Sequence, residues 1–221
     1  MYFISLGRKC TIGYHIKKYM NNDVPTQFFD WTRVDFRCVL QILKLDCIDK
    51  ILNIENINVD NTTLAHENDI LITLKNFDEQ NLTLYFRHEI KLKEYSDLVK
   101  NDKLIEFIAK YKRRYDRLIK LIKSNETLCF IHYDIESLFD FENDINDFYK
   151  TLKEINKDVD FCLVIIKNDK NEDYTFIKHK QHLQINITKF IDESIISKPE
   201  DVWKSNEVEW IKIFELIKKN Y

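Results

Sequence analysis

Residues 2–6 form a short apolar run closed by Gly7, and after Cys10 the apolar side chains Ile12, Ile16, Tyr19 and Met20 recur at helical spacing. This pattern predicts a strand, a tight turn and a helix. Residues 21–31 hold a proline and an aromatic cluster, Phe28, Phe29 and Trp31, around a single carboxylate, Asp30, as in an ordered loop with apolar anchors. Phe36, Val39, Leu40 and Leu43 predict a second amphipathic helix, and residues 69–74 and 82–86 predict two strands of a hairpin across a polar turn. The most sustained pattern is a stripe of Leu104, Ile105, Ile108, Tyr111, Tyr115, Leu118, Ile119 and Ile122, which predicts one long helix. A strand over residues 127–133, a helix over 141–155 and an apolar strand over 161–166 follow. That order is a βαβ unit whose two strands run parallel. Residues 183–187 alternate as one more strand, and 208–216 close as an amphipathic helix.

No internal repeat or low-complexity linker interrupts the pattern. The expected fold is therefore a single α/β domain over residues 1–221, with a mixed, partly parallel sheet flanked by helices. Composition agrees with this: in 221 residues, 44% hydrophobic and 13% aromatic content supplies a core, and a net charge of -3 argues against a purely electrostatic nucleic-acid binder. Two glycines and two prolines leave no material for a glycine-rich phosphate loop or a dinucleotide fingerprint. The five cysteines, at 10, 38, 47, 129 and 162, contain no C-x-x-C spacing, and no basic-then-apolar leader precedes them. Reduced thiols and a cytoplasmic location are expected. Apolar runs such as residues 161–166 fall far short of the ~18 residues of a membrane span, so no membrane association is expected.

Cys10 stands after the Gly7 turn in the first turn of a predicted helix. A thiol in such an accessible turn sees the positive end of the helix dipole and unpaired backbone N–H groups, which favour the thiolate and can stabilise an oxyanion. The alternative is a small buried apolar residue. A thiolate nucleophile needs a base, and geometry sorts the histidines. His15 lies five positions along the same helix, at about 100° each, and so points some 140° away from Cys10. His88 ends a strand whose residues Leu82, Leu84 and Phe86 share a face, which aims it toward the core. His132 shares a strand face with Phe130 and Asp134, which leaves an Asp-His pair open as well, whereas His66, His179 and His182 lie in polar stretches.

These residues also carry a resemblance. Ile4-Ser5-Leu6-Gly7-Arg8-Lys9-Cys10, then Phe29-Asp30-Trp31, then Phe86-Arg87-His88-Glu89, then Lys110-Tyr111-Lys112-Arg113-Arg114-Tyr115 leading into Phe130-Ile131 resembles a family of papain-like cysteine peptidases. That family is a domain of unknown function found in bacteria and large DNA viruses, and the resemblance covers roughly residues 3–133. It implies a nucleophile turn at Cys10, a Phe-Asp-Trp loop at Asp30 and a later histidine at His88, on a papain-like nucleophile helix. Three positions depart from the family: Phe28 replaces a proline, Glu89 an aspartate and His132 an arginine. The implied mechanism is attack of the Cys10 thiolate on a carbonyl, with His88 as base and then acid. Asp30 is the first choice to orient the imidazole, because a carboxylate between two aromatic residues is poorly solvated and needs a partner. Bracing of its own loop by backbone N–H groups is an equal alternative, and Asp134 is the fallback. The implied activity is that of a thiol hydrolase, or an acyltransferase using the same parts, on a peptide or protein substrate. The reading from another class is a catalytically silent interaction module that keeps the fold.

Lys110, Arg113, Arg117 and Lys120 form a basic stripe on the long helix, but the acidic Asp134, Glu136, Asp140, Glu142, Asp144 and Asp147 follow closely and can neutralise it, so no nucleic-acid partner is expected. His179 and His182 are close enough to share an ion, yet no Cys or carboxylate pair with ligand spacing joins them. No metal and no cofactor are expected.

Overall fold

Alternation along the central strands decides the architecture. In the computed structural model, which describes residues 1–7, 10–20, 25–45, 47–60, 71–74, 84–86, 102–134, 141–168, 175–179, 182–187 and 207–220, β1 (Tyr2–Ser5), β6 (Thr127–Asp134) and β7 (Asp160–Asn168) run parallel side by side. They continue into β9 (His182–Ile187), parallel to β7, and β8 (Thr175–His179), antiparallel to β9, giving the order β1-β6-β7-β9-β8. The sheet is mixed and partly parallel, as the pattern predicts. Along β7, Phe161, Leu163 and Ile165 enter one apolar cluster while Cys162, Val164 and Ile166 enter another. Leu128 and Phe130 on β6 likewise face away from Cys129, Ile131 and Tyr133. Both faces are covered, which is why these strands read as near-continuous apolar runs.

One face is closed by α1 (Cys10–Tyr19) through Ile12 and Ile16 and by α5 (Glu207–Asn220) through Trp210, Ile213, Phe214 and Ile217. The other is closed by α2 (Phe36–Leu43), α3 (Asp102–Ile122) and α4 (Phe141–Ile155). Burying each of these Leu, Ile or Phe side chains contributes roughly 1.5–3 kcal/mol. The stripe on α3 is buried at Leu104, Ile108, Tyr111, Tyr115, Leu118 and Ile122 and half-buried at Ile119, while Ile105 is 52% exposed. Their spacing of four and three keeps one face, and Ile105 lies about 100° off it.

A second sheet lies beside the first, with β2 (Thr32–Arg33), β5 (Tyr85–Phe86), β4 (Leu71–Leu74) and β3 (Ile57–Asp60) antiparallel in the order β2-β5-β4-β3. The expected antiparallel pairing of β4 with β5 is present, with Ile72 opposite Phe86. The hairpin was expected, but not its extension into a four-stranded sheet: β2, which pairs with β5, is two residues long and too short to leave an alternation in the sequence. Phe86 ties it to α3, with ring centroids 4.9 Å from Phe107 and 4.4 Å from Tyr111. Pairing of Thr32 with Phe86 thereby fixes the segment that follows Asp30.

Candidate active site

The turn before Cys10 is built by β1 and a glycine. Leu6 N–H donates to the Ile131 carbonyl at 2.8 Å, extending the β1–β6 pairing by one residue. Gly7 then adopts φ 82°, a left-handed conformation that favours glycine, and its N–H donates to Ser5 Oγ at 3.2 Å. A Cβ here would also collide with the Val34 side chain and come within 2.9 Å of Thr32 Oγ1. Cys10 opens α1 at the carboxyl end of β1, the edge where open parallel sheets carry their ligands. N–H groups of the first helical turn have no partner within the helix. The thiol is less open than the accessible turn expected: Cys10 is 9% exposed.

Asp30 meets this helix one turn on. At Gly13, three positions from Cys10 and on the same side of α1, a Cβ would lie 2.9 Å from Asp30 Cβ and 3.0 Å from its carbonyl oxygen. Both glycines of the chain thus serve one purpose, to bring the Cys10 segment onto residues 30–34. Asp30 itself is 4% exposed, and its Oδ2 accepts the Gln27 N–H at 2.7 Å. A backbone N–H of its own loop therefore braces the Asp30 carboxylate. Burial raises the Asp30 carboxyl from 3.8 to about 6, opposed by the Gln27 N–H and by the charges of Lys17, Arg114 and Arg117. Lys17 comes from α1 and the two arginines from α3, so cations from two helices converge on one buried carboxylate. Phe28, at the departing position of the motif, is fully buried edge-on to Phe29, Tyr111 and Tyr115.

His88 and Glu89 lie outside the described residues, as does His66. His15 is buried on the far side of α1, stacked on Trp210 with centroids 5.0 Å apart and on Tyr19 at 5.7 Å, as its 140° displacement from Cys10 predicts. His132 is 2% exposed, with its ring 5.1 Å from that of Phe36. It shares the sheet face of Phe130, opposite the one covered by α1, and the Asp134 side chain lies outside the described residues. His179 and His182 are register partners across β8 and β9.

The basic stripe is partly absorbed by the same loop. Arg117 Nη2 donates to the Thr26 carbonyl at 2.6 Å, and Arg114 lies 4.7 Å from the Tyr111 ring centre. Of the acidic residues after β6, Asp144 pairs with Arg37 and Asp147 with Lys44, both on or beside α2. Among the described residues no group of three His, Cys, Asp or Glu is placed to hold a metal ion, and no helix is long and apolar enough to cross a membrane. Sequence reading missed Gly13, Lys17 and Thr26. A lone glycine inside a helical pattern was the available signal for the first, whereas nothing in the sequence marks the other two.

No curated protein and no solved structure matches this chain. A family model described as "Putative papain-like cysteine peptidase" matches residues 1–171, a span that takes in the Cys10 turn, the Asp30 loop, the second sheet and the βαβ unit. With more than half its length matched, the chain belongs to that family of papain-like cysteine peptidases.

Proposed function

We propose that the chain is a thiol hydrolase in which Cys10 and His88 form a catalytic dyad and Asp30 orients the imidazole. His88 takes the Cys10 proton, the sulfur attacks the carbonyl carbon of a peptide or related acyl bond, and the oxyanion is held by N–H groups of the first turn of α1. His88 then protonates the departing amine, and water, deprotonated by the same imidazole, hydrolyses the thioester. The observation that carries this reading is the placement of Cys10 at a helix start, at the carboxyl edge of a parallel sheet, between two glycines that touch the Asp30 segment. A second support is register. Thr32, two residues after Asp30, opposes Phe86, two residues before His88. Working in a reducing, cytoplasmic compartment fits a chain whose five cysteines are all free.

A second reading, a silent interaction module, is favoured by a separate observation: Cys10 is nearly buried and Asp30 is already satisfied within its loop. Turnover of a panel of peptide and ubiquitin-type esters separates the two. The hydrolase reading expects turnover in the parent, abolished in Cys10→Ser and His88→Ala with melting temperatures little changed. No turnover in the parent, with Cys10→Ser destabilised, overturns it.

A further inference from the structure

Thr26 is gripped from two helices at once. Its carbonyl oxygen accepts Arg117 Nη2 of α3 at 2.6 Å, and its hydroxyl accepts the Lys17 ammonium of α1. The next residue, Gln27, turns its N–H onto Asp30 Oδ2 at 2.7 Å, and the Asp30 N–H faces the Gln27 carbonyl at 3.5 Å. Residues 26–30 therefore link two cationic side chains to one buried carboxylate. Here the charged groups facing Asp30 are Lys17 from α1 and Arg114 and Arg117 from α3. Clustering them has a cost: burial and the neighbouring charges of Arg114 and Arg113 disfavour the cationic form of Arg117, and the Asp30 carboxylate favours it. The cost and its relief coincide at Asp30.

We propose that Arg117 and Lys17 are positioning residues that, by holding the two oxygens of Thr26, seat the Asp30 loop against α1 and balance the charge of its carboxylate. This rests on the reading of Asp30 as the group that orients the imidazole. With the cations in place, Asp30 carries its charge at neutral pH although it is buried and set against α1 at Gly13. The role assigned to them passes through Asp30, which separates it from the roles of Cys10 and His88.

The test follows the Asp30 carboxyl by carbon NMR in the full chain labelled at aspartate Cγ, the signal being identified by its loss in Asp30→Asn. Arg117→Met and Lys17→Met should each raise the Asp30 titration midpoint by about half a pH unit or more, and Arg117→Lys should restore most of the shift. Lys17 lies on a half-buried position of α1, so Lys17→Met decides the matter if Arg117→Met fails to fold. An unmoved midpoint in a folded neutral variant overturns the proposal and leaves these cations as braces. The active-site reading fails differently: the midpoint moves as expected, but the rate of Cys10 alkylation ignores it.

Discussion

Gly13 and Asp30 touch with no room for a methyl group between them. An added Cβ would come within 2.9 Å of Asp30 Cβ, 3.0 Å of its carbonyl oxygen and 3.1 Å of its Cα. Two of these are backbone atoms, so a flexible side chain cannot swing away. Alanine favours helix over glycine by about 1 kcal/mol, yet Gly13→Ala should lower stability by roughly 1–3 kcal/mol, because overpacking forces α1 off the loop. Urea denaturation measures it; a stabilised Gly13→Ala would mean that the contact is not held.

Asp30 gives stability a pH dependence of definite sign. Its carboxyl is raised from 3.8 to about 6, so between these values the folded protein binds more protons than the unfolded chain. The associated stabilisation is fully present below about pH 4 and is lost as pH rises through 6, an amount on the order of 2–3 kcal/mol. Denaturation of the parent and of Asp30→Asn from pH 4 to 7.5 should show their stability difference changing by that order, the parent losing ground as pH rises. A difference that is flat with pH would show an ordinary carboxyl.

The C-terminal helix α5 lies beyond the residues matched by the family model, yet it closes the face of α1 opposite Asp30. Trp210 is fully buried on His15, Phe214 packs edge-on to Phe3 with centroids 6.0 Å apart, and Glu207 accepts from both Lys18 and Tyr19. Trp210→Ala should cost roughly 3–5 kcal/mol, read from the denaturation midpoint. Glu207→Gln, at an exposed pair, should change stability by less than about 1 kcal/mol. A mild Trp210→Ala would show α5 to be an accessory.

What the sequence disclosed follows from how each element is stabilised. The α3 stripe, the β6-α4-β7 unit and α5 bury their own periodic faces, so their patterns survive in the chain. β2 takes its place from a partner, with Thr32 opposite Phe86, and two residues cannot carry a period. At the site, Cys10 and Asp30 stood out by chemistry and by motif. The approach of α1 to Asp30 at Gly13 did not, since it depends on the absence of a side chain. Arg117 was legible only as part of a basic stripe, because its partner Thr26 lies 91 residues away in the chain.

The central claim is that Cys10 is a nucleophile activated by its place in the fold, and its rate of alkylation relative to Cys47 tests this most directly. Cys47 is the exposed thiol among the five, with its Sγ donating to Asp49 Oδ2 at 3.3 Å. Burial pushes the Cys38 thiol up to about 12 and that of Cys129 well above its ordinary value, so both should stay inert. With limiting iodoacetamide near neutral pH, mass spectrometry of the native protein should find Cys10 labelled faster than Cys47 although it is 9% exposed. His88→Ala should slow Cys10 by about 10-fold or more and leave Cys47 unchanged. Cys10 reacting no faster than Cys47, or at a rate indifferent to His88, would contradict the account.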